Sequence, residues 1–106
     1  MTTGRCELCQ REGVELTRHH LIPRSTHGRR RIRRRFDRQQ RQNAVLWLCR
    51  PCHKQLHALI PEMELALRYH TREALLSHPE LSRFIAWIRK RPPGHLPRAF
   101  TSRRGR

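Results

Sequence analysis

The sequence predicts an α+β domain: two strands and a helix inserted between two cysteine knuckles, with further helices toward the C-terminus. Three observations predict it. Cys6 and Cys9 form one C-x-x-C pair and Cys49 and Cys52 a second. Two apolar runs, Val14 to Ile22 and "AVLWLC", carry β-favouring residues. The stretches after them carry helical periodicity and helix-start signals.

The cysteines come first because a chain of 106 residues with 36% hydrophobic and 30% charged residues has little core to hold it together, and small domains of this kind need a staple. Two C-x-x-C pairs supply four thiolates for a tetrahedral structural zinc. The rival is two disulfides in a secreted protein. No signal peptide is read before Cys6, and no apolar run is long enough to span a membrane. A reducing, cytoplasmic location is therefore expected, and zinc with it. The 39 residues between the pairs exceed ordinary zinc-ribbon spacing and imply a whole substructure between the knuckles.

Within that insertion, "GVELTRHHLI" alternates well enough for a strand or hairpin ending at Pro23. Residues 23–42, "PRSTHGRRRIRRRFDRQQRQ", read as a basic, glycine-punctuated loop. They carry Arg24, Arg29, Arg30, Arg31, Arg33, Arg34, Arg35, Arg38 and Arg41. After Asn43 the second β run leads into "RPCHKQLHALI", where Pro51 suits the first turn of a helix that should stop at Ile60, before Pro61. Residues 62–91 read as helical. Leu81, Phe84, Ile85 and Ile88 follow the i, i+3, i+4, i+7 rule after Pro79, and Thr71 is placed to cap a shorter helix running to Ser77. The domain is read as residues 1–91, with 92–106 a basic disordered tail.

The net charge of +16, almost all of it arginine, calls for a polyanionic partner. The guanidinium fork favours phosphate over a bilayer surface, so nucleic acid is expected and a membrane is not. The arginine stretch has rival readings as a solvated disordered segment, an RNA-binding arginine-rich motif or a nuclear-import signal. A flexible loop tethers a phosphate backbone without reading bases, which predicts weak sequence specificity. Arg98, Arg103, Arg104 and Arg106 add to the nonspecific charge.

His53 and His57 stand four apart and share one helix face, a two-point grip on a divalent metal, while Cys52, Leu56 and Leu59 form a neighbouring stripe. Strand, loop, strand and helix bring His19 and His20 beside that face. Three imidazoles then ring a metal with coordination positions open, and the fourth is free to act as a base. Neighbours on a strand point to opposite faces, so the pair shares a site only where the strand twists or ends.

"LTRHHLIPRS" followed by "LCRPCHKQLH" resembles the HNH endonucleases of the ββα-metal superfamily. It is most similar to small zinc-containing members bearing an HHLIPR stretch and flanking C-x-x-C pairs. The motifs cover residues 6–57, and the later helices look like the tail of that subgroup. The resemblance implies His20 as general base and His19, His53 and His57 as ligands of a catalytic divalent metal. It implies Cys6, Cys9, Cys49 and Cys52 as ligands of a structural zinc. Asn43, ten residues before His53 where many members place it nine before, takes the role of bracing the loop that bears the base. Phosphodiester hydrolysis leaving 5′ phosphate and 3′ hydroxyl is implied. Imidazole ligation suits zinc, nickel or cobalt, while related nucleases are often assayed with magnesium or manganese. The metal stays open at this point, as does the choice of monomer or homodimer.

The alternative from another class is a noncatalytic zinc-stabilised nucleic-acid-binding module, using the same charge and cysteines. The remaining residues take plainer readings. His27 stands where it can approach a phosphate. His70 and His78 read as surface or helix-terminal and His95 as part of the tail. Trp47 and Trp87 read as core, and Asp37 as an ion-pair partner.

Overall fold

The computed structural model describes residues 2–93. The tail read from Pro92 onward, with His95 and the last four arginines, lies outside the described residues from Gly94. The elements run β1 (Thr3–Gly4), β2 (Val14–His20), a 3-10 turn (Arg24–Thr26), α1 (Arg30–Arg35), α2 (Arg38–Asn43), β3 (Val45–Cys49), α3 (Arg50–Leu59), α4 (Glu62–Arg68), α5 (Arg72–Leu76) and α6 (Pro79–Ile88). This is a small α+β fold around a three-stranded antiparallel sheet in the order β1-β2-β3.

The first knuckle forms because its backbone closes on itself. Gln10 N–H donates to the Cys6 carbonyl at 2.9 Å, with Gln10 held at a φ of 66°. Gly13, at a φ of 72°, turns the chain into β2, a backbone position that favours glycine.

The register of β2 on β3 decides the two faces of the sheet. His19 lies opposite Leu46, Thr17 opposite Leu48, Arg18 opposite Trp47 and His20 opposite Val45. Side chains alternate along a strand, so Thr17, His19, Leu46 and Leu48 share the face covered by α3. Trp47 takes the other face and is 37% exposed, a large exposed hydrophobic rather than the core residue expected. Two-residue periodicity overrules size here, because its neighbours Leu46 and Leu48 are the buried ones.

Arginine content misleads over residues 23–42. The expected loop holds a 3-10 turn and two short helices. Two apolar residues, Ile32 and Phe36, are buried with Ile22 and Ala66 in a second small core, flanked by Met63 and Leu67. Four like-charge pairs at helical spacing on α1 (30/33, 30/34, 31/34, 31/35) oppose the helix by roughly 0.2–0.5 kcal/mol each. Burying two large apolar side chains contributes roughly 1.5–3 kcal/mol each, so packing wins. Asp37 makes no ion pair among the described residues. It caps α2, accepting from Gln40 N–H at 2.8 Å while the Gln40 side chain accepts from Asp37 N–H at 3.0 Å.

The main core joins the knuckles to the sheet and the C-terminal helices, with Leu8, Val14, Leu48, Leu56, Leu65, Leu75, Leu81 and Ile88 buried. The expected helical stretch 62–91 divides into three. Thr71 caps α5 by accepting from Ala74 N–H at 3.0 Å. His78 caps α6 by accepting from Leu81 N–H at its Nδ1, 3.2 Å away, and Pro79 follows in the first turn. Leu81, Phe84, Ile85 and Ile88 form the buried stripe of α6, and Trp87 packs partly buried against the core. The ring of His70 lies edge-on to Phe36, with centroids 5.0 Å apart.

Candidate metal centres

The end of β3 and the first turn of α3 supply Cys49 and Cys52, which meet Cys6 and Cys9 of the first knuckle. All four are buried, and their sulfurs lie within 4.8 Å of one another. None is disulfide-bonded. Cys9 Sγ and Cys49 Sγ are 3.8 Å apart. Zn–S bonds of about 2.3 Å in a tetrahedron put sulfurs about 3.8 Å apart, so the donor set fits a structural zinc. The Cys6 sulfur also accepts from Leu8 N–H and Cys9 N–H, each at 3.4 Å. Bonds from the Cys49 and then the Cys52 thiol draw Cys6 down to about 6, while Cys52, bonded to Cys49 and Cys6, is pushed up. Four thiols packed this closely without a cation cannot all ionise, and a zinc ion removes that conflict.

Arg11 was not singled out by the sequence, where it reads as one more arginine. It is 6% exposed, and its guanidinium points at the cluster: Nε lies 3.4 Å from Cys9 Sγ and Nη2 3.6 Å from Cys49 Sγ. Nη1 donates to the Pro92 carbonyl at 2.7 Å. A tetrathiolate zinc carries two net negative charges, and a buried guanidinium offsets part of them. At the C-terminal cap of α6, Arg89 Nε donates to the Cys9 carbonyl at 3.2 Å, tying the end of that helix to the knuckle.

Beside Cys52 and one turn further along α3, His53 and His57 face His19 of β2. The ring centroids are 5.1 Å (His19–His53), 5.4 Å (His19–His57) and 5.0 Å (His53–His57) apart. One nitrogen from each lies within 4.8 Å of the other two. His19 is 1% exposed, and neither of its ring nitrogens has a hydrogen-bond partner among the described residues. Burial holds its pKa down to about 3, with the His53, His57 and His20 charges adding to the effect, so the ring is neutral at ordinary pH. A buried donor and acceptor left unmade cost roughly 1–3 kcal/mol each. A cation shared with His53 and His57 engages one of those nitrogens, so the residues present fit a divalent metal.

Thr17 fixes the tautomer of His53. Its hydroxyl lies 3.0 Å from the Leu48 carbonyl and 2.7 Å from His53 Nδ1. A carbonyl only accepts, so the single hydroxyl proton goes there and the oxygen accepts from Nδ1–H. His53 Nε2 is left with its lone pair for a metal, the arrangement in which an outer hydrogen bond orients a ligand. An open groove of about 350 Å³ runs past Thr17, His53 and His57, edged by Arg50 and Lys54. The sequence reading missed these two cations, whose importance lies only in standing beside the histidines.

His20 takes the other face of β2, as strand alternation requires. It is half-buried in a separate cavity of about 270 Å³ with Arg24, His27 and Gln42. The four imidazoles are thus arranged three and one. Among the described residues His20 makes no ring contact with the triad, though its charge reaches His19 and His53. Its pKa lies below the usual histidine value, through burial first and then the charges of Arg18, Arg24 and His27. His27 is oriented by a 2.7 Å bond from its Nε2–H to the Ile22 carbonyl. Asn43, at the end of α2, lines a different cavity of about 450 Å³ with Phe36, Gln40 and His70. Its segment reaches the base-bearing strand through the backbone, where Leu21 N–H donates to the Ala44 carbonyl at 2.9 Å. Arg24 lines the His20 cavity, Arg41 Nη1 donates to the Phe36 carbonyl at 2.8 Å and Arg35 Nη1 to the Leu67 carbonyl at 2.9 Å. Arg29, Arg30, Arg31, Arg33, Arg34 and Arg38 are exposed.

Fold and sites together define a small α+β protein with one closed four-cysteine cluster and one open three-histidine cluster. The chain is 45% identical over 93 residues to the uncharacterized protein YisB of Bacillus subtilis (strain 168), covering 88% of this chain and 81% of that protein, and it belongs to the same family. No family model matches the chain, and no solved structure matches it. No helix among the described residues is long and apolar enough to cross a membrane.

Proposed function

We propose that this protein is a cytoplasmic, metal-dependent endonuclease of the HNH type that hydrolyses phosphodiester bonds in DNA. The observation that carries this reading is the convergence of His19, His53 and His57 from a strand and a helix, with both nitrogens of the buried His19 unpartnered. Such a triad leaves coordination positions open, unlike the closed cysteine cluster. A divalent cation held there supplies, when bound, positive charge for the scissile phosphate and the departing oxygen. Arg50 and Lys54 along the groove add charge where a phosphate would lie. His20, kept neutral by its surroundings, takes the proton of the attacking water. Arg24 and His27 flank it and add positive charge around the base. Asn43 braces the base-bearing strand through its backbone neighbour Ala44. RNA is the alternative substrate.

One observation favours a second reading, a noncatalytic zinc-stabilised nucleic-acid-binding module: His20 stands outside ring contact with the triad. Nicking of supercoiled plasmid across magnesium, manganese, zinc and nickel, with and without EDTA, separates the two. The nuclease reading expects EDTA-sensitive nicking that falls by about 10²–10⁴-fold in His20→Ala and is lost in His53→Ala. Equal behaviour of native protein and His20→Ala, or no nicking with any metal, leaves the binding module.

A further inference from the structure

The nine arginines of residues 24–41 read as a tether, yet five of them sit on a helix that is docked. Helix α1 is anchored by Ile32, which is fully buried, and followed by Phe36, which seals the same small core against Ala66 of α4. Two side-chain bonds pin its C-terminal end: Arg35 to the Leu67 carbonyl at 2.9 Å and Arg41 to the Phe36 carbonyl at 2.8 Å. At 100° per residue, Arg30 and Arg34 project opposite Ile32, with Arg31 and Arg33 on their flanks. All four are exposed, and none of their side chains has a hydrogen bond or ion pair among the described residues. The nearby carboxylates are engaged elsewhere: Asp37 caps α2, Glu62 bonds Ser25 and Glu64 pairs with Arg68. The helix has no acidic residue in its first turn, so its own dipole opposes the charge there. It is therefore fixed in place by its apolar side and strained by its charged side.

We propose that α1 is a preformed phosphate-gripping face for a nucleic-acid duplex, and that the duplex backbone steadies the helix by relieving the arginine repulsion. The proposal rests on the nucleic-acid reading above and deepens it. A docked helix holds guanidinium forks at fixed spacing, and this lets it distinguish the regular backbone of a duplex from a pliable single strand. A tether would not. Neutralising phosphate partners also turn each like-charge pair on α1 from a cost into a bridge, so binding and helix order are linked.

The test measures binding and order directly, without cleavage. Labelled 20-base-pair duplex and the matching single strand are titrated in EDTA over a range of salt. Amide exchange is followed at 32–36 with and without duplex. The native protein should prefer duplex, and its amides at 32, 33 and 36 should slow on binding. Arg30→Gln/Arg34→Gln should lower the duplex salt slope by about 2 and lose the duplex preference, whereas Arg83→Gln/Lys90→Gln, on α6 and just past its end and with the same charge loss, should keep it. Ile32→Ala removes no charge and should lose the duplex preference while retaining single-strand affinity. If both double variants behave alike, or amide exchange at 32–36 is unchanged by duplex, the segment is a tether and the proposal fails. Absence of nicking in the plasmid assay would sink the nuclease reading and leave this result standing. Nicking with unchanged exchange would do the reverse.

Discussion

The cysteine cluster and the histidine cluster share one helix, α3, and differ in what surrounds them. Both take a ligand from the first turn of α3, where Cys52 and His53 are adjacent residues. Yet all four cysteines are buried, whereas the histidines grade from His19 at 1% exposed through half-buried His53 to exposed His57. The closed set fills a tetrahedron and leaves no position for a substrate. The open set offers three nitrogens and a groove. Proximity in sequence does not decide which role a ligand takes; the side of α3 it projects from does.

The largest expected effect breaks the comparison at its closed end. Cys52→Ser should abolish cooperative thermal unfolding by circular dichroism and remove the bound zinc, because a small structural zinc site contributes much of the folding free energy. His53→Ala, one residue away, should keep a cooperative transition and one zinc per chain by metal analysis. If both unfold, the clusters are not functionally separate.

Next is the outer hydrogen bond at the open end. Thr17→Val removes the acceptor that orients His53 and should weaken divalent-metal binding to the triad by about 10–100-fold, measured by calorimetry on zinc-loaded protein. Thr17→Ser should restore it. Equal affinity in Thr17→Val would show that His53 orients itself.

Arg11→Met sharpens the closed end. Loss of the guanidinium beside Cys9 and Cys49 should speed zinc transfer to a chromophoric chelator several-fold, on the order of 1–2 kcal/mol for a charge-assisted bond, with little change in fold. Transfer at the native rate would reduce Arg11 to a clamp on Pro92.

The smallest effect is on pH. His19 titrates at about 3 in the folded chain against the 6.5 of a free imidazole. As pH falls below about 6.5 the unfolded chain takes up the proton first, so folded-state stability should decline from there toward about 3. Melting temperatures of zinc-loaded protein between pH 7.5 and 5.5 should show this slope, and His19→Leu should flatten it.

Much of both clusters was legible because their signals are local. Two C-x-x-C pairs, an i, i+4 histidine pair and the stripe Leu81, Phe84, Ile85 and Ile88 each fix geometry within a turn or two of backbone. Thr71 and Pro79 marked helix starts for the same reason. The arginine segment was misread as a loop because charge dominated its composition, while its two anchors, Ile32 and Phe36, have meaning only against Ala66 and Ile22. Trp47 was misplaced because its face depends on the register with Arg18.

The sequence alone determined that four sulfurs and two helical imidazoles would be available at metal-ligand spacing, since neighbouring residues on one element cannot avoid one another. Only the tertiary structure decided that His19 completes the triad while His20 turns away, that Thr17 sets a tautomer and that Arg11 faces two cysteine sulfurs. Apart from the local Arg11–Cys9 contact, they join residues 30 to 40 positions apart. They depend on which face of a strand is covered, and strand register and helix docking set that through packing across the whole core.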